Sequence, residues 1–117
     1  MKNVTIYHNP RCSKSRETLA LLEQHGIEPQ VVLYLDTPPS VSELKKLLLE
    51  LGFASARELM RKKEDLYKEL NLADKTLGEE QLLQAMVTHP KLIERPIVVK
   101  DGKARIGRPP EQVLEIL

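Results

Sequence analysis

The run Val4-Thr5-Ile6-Tyr7 is built from strand formers and is broken by His8-Asn9-Pro10, so the pattern predicts a first strand that stops at about Tyr7. From about Ser13 the apolar-facing positions Thr18, Leu19 and Leu22 recur at helical spacing, and Gly26 is placed to stop the helix in a left-handed conformation. Val31-Val32-Leu33-Tyr34-Leu35 is nearly all apolar, the pattern of a strand buried on both faces. Strand, helix and strand in succession predict a βαβ unit.

The middle of the chain reads as helical. Thr37-Pro38-Pro39 is a turn. Ser40 and Glu43 have the spacing of a capping box ahead of Leu44, Leu47, Leu48 and Leu51, and Gly52 ends that helix. Ser55 with Glu58, and Thr76 with Glu79, repeat the capping pattern, the latter ahead of Leu82, Leu83, Met86 and Val87. Leu66, Tyr67 and Leu70 allow a short helix between them. The end returns to strands: Ile97-Val98-Val99 is β-branched, and Asp101-Gly102 is a hairpin signal joining it to Lys103-Ala104-Arg105-Ile106. Pro109 and Pro110 suit the first turn of a helix, from which Val113, Leu114 and Leu117 are expected to pack on the sheet. The order is βαβ, a helical block, then ββα, an α/β fold.

Composition narrows the function classes. A chain of 117 residues fits one domain. Aromatic residues are 3%, so Leu, Val and Ile must form the core. A net charge of +1 gives no chain-wide attraction to nucleic acid or to a membrane surface, and neither is expected as a partner. No apolar run approaches the roughly 20 residues that span a bilayer. With no signal-peptide pattern and a single cysteine, a reducing, cytoplasmic setting is expected. One cysteine excludes an internal disulfide and a four-thiolate zinc site, and no bound metal or cofactor is expected.

That cysteine, Cys12, falls between a predicted strand end and a predicted helix start. Unpaired N–H groups and the helix dipole favour a thiolate there, and Arg11, Lys14 and Arg16 bring positive charge close in sequence. Free cysteine is often buried and inert, but Pro10, Arg11, Ser13 and Lys14 are not core residues. His8 is placed to orient or polarise the site. In Cys12-Ser13-Lys14-Ser15 a serine stands at the fourth position of a Cys-x-x-Cys pair. Ser15 cannot resolve a disulfide, but its hydroxyl is able to donate a hydrogen bond to the sulfur. An adduct on Cys12 therefore needs an outside thiol. Arg61, Arg95, Arg105 and Arg108 each read singly as solvated surface charges. No dinucleotide-binding glycine motif, P-loop, H-E-x-x-H or Cys-x5-Arg loop is present.

The segment Tyr7-His8-Asn9-Pro10-Arg11-Cys12-Ser13-Lys14-Ser15-Arg16 resembles the active-site segment of the glutaredoxin-dependent arsenate reductases. The resemblance continues through Tyr34 to Pro38, Arg57 to Lys62, His89-Pro90, Glu94 to Val99, and Ile106-Gly107-Arg108-Pro109-Pro110. It implies a thioredoxin-like mixed sheet over residues 1–117, a single arsenate reductase domain with a helical insertion at about 40–90. It implies Cys12 as nucleophile, His8 and Ser15 as catalytic support for the thiolate, and Arg61, Arg95 and Arg108 as the substrate-binding arginines. In such a fold Pro96 is a cis-proline beside the active thiol. Planar guanidinium forks suit a tetrahedral oxyanion. The implied partners are arsenate, glutathione as co-substrate and glutaredoxin, and the implied product is arsenite.

Ser13 and Lys14 stand where arsenate reductases usually carry Gly-Thr, and Arg11 where they carry a small residue. These added cations suit a second reading, a thioredoxin-fold oxidoreductase acting on another glutathione-linked substrate. A third is a redox-responsive regulator of the Spx type that binds RNA polymerase. That branch commonly carries a Cys-x-x-Cys pair, which Ser15 replaces here.

Overall fold

The computed structural model describes residues 3–117. Its contacts divide the chain into two compact units, one formed by the chain up to Thr37 together with Arg95–Leu117, the other by Pro38–Glu94.

The first unit holds a four-stranded mixed sheet in the order β2-β1-β3-β4. Strand β1 (Val4–Tyr7) lies between β2 (Gln30–Val32), which is parallel to it, and β3 (Ile97–Lys100), which is antiparallel; β4 (Lys103–Ile106) pairs antiparallel with β3. The alternation of β1 sets its faces: Val4 and Ile6 are fully buried, and Ile6 sits in register with the buried Val98 of β3. Helix α1 (Ser13–Gln24) closes this core with Leu22, and Ile27 and Val113 complete it. Burying each such side chain contributes about 1.5–3 kcal/mol. Gly26 (φ 74°) follows the helix, and Asp101 and Gly102 (φ 51° and 80°) form the tight β3–β4 turn, as their sequence predicts. The α/β, thioredoxin-like class read from the sequence is the class of this fold.

Three local expectations are corrected. The apolar run at 31–35 is not a doubly buried strand: β2 is an edge strand that ends at Val32, and Leu33 to Asp36 turn away, with Asp36 and Thr37 both donating to the Leu33 carbonyl. Val31 is 43% exposed, and Tyr34 alone of this run is buried. The last helix is a 3-10 helix, Pro110–Ile116, in which Val113 is buried but Leu114 faces outward. The capping pair expected at Thr76 and Glu79 does not form, for a reason found in the second unit.

That unit contains α2 (Val41–Leu51), a 3-10 turn at Ala56–Leu59, α3 (Asp65–Glu69), α4 (Glu79–Thr88) and a 3-10 turn at Pro90–Leu92. The Ser40–Glu43 box forms, with Glu43 N–H donating to Ser40 and Ser40 N–H to the Glu43 carboxylate. Glu58 likewise accepts from the Ser55 N–H at 3.0 Å. Thr76, however, donates from its N–H and hydroxyl to the Asp74 carboxylate, and Glu79 reaches back to accept from Ser55 Oγ (2.9 Å) and the Ala56 N–H (2.6 Å). Helix α4 is therefore capped at Gly78, whose N–H is taken by Gln81 Oε1. Among the described residues no helix is long and apolar enough to cross a membrane.

Candidate active site

Cys12 is the residue at which β1's following loop becomes α1. Its backbone is extended (φ −94°, ψ 124°), its N–H closes a turn onto the Asn9 carbonyl at 3.0 Å, and its carbonyl accepts the first helical bond from the Arg16 N–H. Asn9 Oδ1 accepts from the Arg11 N–H and the Arg16 guanidinium donates to the Pro10 carbonyl, so side chains on both sides fasten the loop. Polar loop residues and a free helix end leave the thiol half-buried.

The sulfur's ionisation is decided by opposing effects. Burial pushes the Cys12 thiol up. The Ser15 amide, the Arg95 charge, the Lys14 amide and the Arg108 charge pull it down, and together they win, leaving the thiol below its ordinary value. The two amides act by facing the sulfur at the helix start, without the closer geometry of a formed cap hydrogen bond. The guanidinium of Arg108 reaches the sulfur: Nη2 lies 3.6 Å from Cys12 Sγ, while Nε of the same group donates to the Arg95 carbonyl at 2.9 Å. The charges acting on the thiol thus come from residues more than 80 positions away. Of the nearby cations expected to act there, Lys14 pairs with Glu17 at 3.4 Å and Arg16 is engaged with Pro10.

His8 directly follows β1 and is 6% exposed. Its N–H donates to the Val32 carbonyl, and its Nδ1 lies 2.7 Å from Ser15 Oγ. Ser15, fully buried in the first turn of α1, also accepts from the Asn9 N–H at 2.9 Å. The Ser15 hydroxyl therefore bonds to His8 and the loop, and no bond to the Cys12 sulfur is among its contacts. What Ser15 gives the sulfur is its backbone N–H. Burial, and then the charge of Arg16, lower the His8 pKa, so the imidazole is neutral near pH 7.

The remaining expected site residues divide between the units. Arg95 and Pro96 precede β3 and Arg108 follows β4, all in the unit that carries Cys12; the Arg95–Pro96 and Arg108–Pro109 bonds are both cis. Arg61 belongs to the 38–94 unit. There its guanidinium meets Glu64 at 3.4 Å and the Lys91 carbonyl at 3.3 Å, and Glu64 also pairs with Lys91. Among the described residues no group of three or more His, Cys, Asp or Glu side chains is arranged to hold a metal ion.

Two participants were not singled out from the sequence. Thr18, read as a position on the core-facing side of α1, is fully buried and bonds the Lys14 carbonyl at 2.8 Å. Gly107, next to Arg108, packs against it. Neither carries a local sign of this role, because their contact spans 89 positions of sequence.

The chain matches the ArsC family over residues 7–116. The protein YfgD of Escherichia coli (strain K12) is 72% identical over 116 residues, 99% of this chain and 98% of that one. An arsenate reductase of Neisseria meningitidis serogroup B is 56% identical over the full length of both chains. The solved arsenate reductase from Vibrio cholerae superposes with a TM-score of 0.96 at 68% identity, covering 97% of each chain.

Proposed function

This chain belongs to the ArsC family, and from that premise we propose that it is an arsenate reductase that uses the Cys12 thiolate as nucleophile and glutathione with glutaredoxin as its reducing system. The observation that carries the reading is the anchored Arg108 guanidinium on the lone, lowered thiol. A cation held there serves two purposes, keeping the sulfur ionised and offering N–H donors to an oxyanion that approaches it. The names of the Neisseria and Vibrio relatives support arsenate as that oxyanion.

Arsenate binds at Arg95 and Arg108, with Arg61 assigned to the same anion by the sequence resemblance. The Cys12 sulfur attacks arsenic, an S–As bond forms, and one As–O bond breaks, its oxygen leaving as water after protonation. Arsenic is still As(V). Glutathione then attacks the adduct. As the disulfide between its sulfur and Cys12 forms, the S–As electron pair stays on arsenic, which departs as As(III), arsenite. Two thiols have supplied the two electrons. The dithiol of glutaredoxin reduces the mixed disulfide and frees Cys12. An external reductant is required because Ser15, in the place of a resolving cysteine, cannot close a disulfide. Neutral His8, through Ser15, holds the loop on which the thiol sits.

The test is arsenate-dependent oxidation of NADPH by purified protein supplied with glutathione, glutaredoxin and glutathione reductase, run beside Cys12→Ser. Turnover that needs arsenate, glutaredoxin and Cys12 is expected. Equal rates with and without arsenate would overturn the substrate, and equal rates with thioredoxin and thioredoxin reductase in place of the glutathione system would overturn the reductant. Arg61→Ala is expected to raise the KM for arsenate; an unchanged KM removes Arg61 from the site.

A further inference from the structure

The segment that delivers Arg108 to the sulfur passes through an unusually close contact. Gly107 follows β4, its N–H donates to the Pro96 carbonyl at 2.9 Å, and its own carbonyl lies 3.5 Å from Thr18 Oγ1. A methyl group built on Gly107 would fall 2.4 Å from Thr18 Oγ1, 3.0 Å from Thr18 Cγ2 and 2.9 Å from Pro96 Cγ. Its backbone is not in the left-handed region, where Gly26, Gly52 and Gly102 are found. The need for glycine here is therefore steric and not conformational.

The obstacles on either side have little freedom to yield. Thr18 is fully buried on α1, and its hydroxyl is held by the Lys14 carbonyl at 2.8 Å. Its χ1 is stiff because it is β-branched. Pro96 is a ring directly before β3. A side chain at 107 has to push its own segment outward, and the next residue in that segment is Arg108, whose Nε and Nη2 make the Arg95 and Cys12 contacts.

We propose that Gly107 is a positioning residue for the nucleophile: its missing side chain lets the chain close on Thr18 and Pro96, and that closure sets the Arg108 guanidinium on the Cys12 sulfur. The proposal rests on the reading of Arg108 as the partner of the reactive thiolate, so its test carries a control for that reading. The role belongs to the backbone at 107, which touches no reacting atom.

The test is the pH dependence of Cys12 alkylation by iodoacetamide, measured on the full chain with Gly107→Ala, Arg108→Ala and the double variant. Arg108→Ala is expected to slow alkylation about fivefold at a pH below the thiol pKa, the factor that corresponds to one unit charge at about 4 Å in a water-like medium. Gly107→Ala is expected to slow it by a similar factor, and the double variant no further than Arg108→Ala, since both act through one guanidinium. If Arg108→Ala alkylates like the parent protein, the underlying reading has failed. If Arg108→Ala is slow while Gly107→Ala is like the parent, or if the two losses multiply, the inference about Gly107 has failed. Should Gly107→Ala not fold, the Thr18 pair decides. Thr18→Val puts a larger methyl in place of the oxygen nearest Gly107 and is expected to slow alkylation, while Thr18→Ser keeps the oxygen and is expected to stay near the parent rate. Equal rates for the two would overturn the proposal.

Discussion

Arg108 approaches Cys12 as a braced group: its Nη2 is 3.6 Å from the sulfur while its Nε is fastened to the Arg95 carbonyl. The brace matters because a free arginine loses side-chain entropy to stay beside a thiolate, whereas a guanidinium held at one edge presents the other at little further cost. Arg108→Lys keeps the charge but has no Nε to anchor. It is expected to leave the Cys12 thiol above its parent pKa, with an alkylation rate between those of the parent and Arg108→Ala. A rate equal to the parent would show that charge alone suffices.

Ser15 is expected to separate stability from ionisation. Its buried hydroxyl bridges His8 Nδ1 and the Asn9 N–H, while its amide acts on the sulfur. Ser15→Ala leaves the buried His8 Nδ1 and the half-buried Asn9 N–H without that partner and is expected to cost about 1–3 kcal/mol in denaturant unfolding. The amide survives, so the Cys12 pKa is expected to shift little. A large rise in that pKa would mean that the hydroxyl itself serves the thiolate.

The pH dependence of folding follows from His8. Burial lowers its pKa in the folded chain below the ordinary 6.5. Between that lowered value and 6.5 the unfolded chain binds more protons, so stability rises with pH there. The contribution is fully present above 6.5 and is lost as pH falls through the folded-state value. His8→Gln is expected to flatten the slope of unfolding free energy between pH 7.5 and 5; an unchanged slope would assign it to other groups.

In the 38–94 unit, Glu79 is expected to matter beyond its own helix. Its carboxylate accepts from both Ser55 Oγ and the Ala56 N–H. Glu79→Ala is expected to lower stability by about 1–2 kcal/mol, as loss of a capping contact does. Thr76→Ala, whose hydroxyl bonds only Asp74 on the surface, is expected to cost less, and a reversed order in thermal unfolding would contradict this account of the α4 start.

The parts of this fold that were legible in the sequence are those whose cause is local. Asp101-Gly102 specifies its turn through two residues with positive φ, and Ser40 with Glu43 closes its box within one helical turn. The Thr76–Glu79 pair had the same spacing and failed, because Asp74 captured Thr76 and a partner 24 positions away captured Glu79. The run at 31–35 misled because apolar content does not distinguish a central strand from an edge that turns outward. At the candidate site, the position of Cys12 at a helix start was legible from the sequence. Arg95 and Arg108 entered only through resemblance to a family, and the fit of Gly107 against Thr18 follows from packing across 89 positions, which no local pattern encodes.

The central claim is that Cys12 is held as a reactive thiolate, and because it is the only cysteine in the chain its titration is unambiguous. The most direct measurement is the pH profile of its alkylation by iodoacetamide in the native protein and in denaturant. An apparent pKa in the native protein clearly below that of the denatured chain, which should lie near the free value of about 8.5, is the predicted result. A native value equal to or above the denatured one would contradict the account.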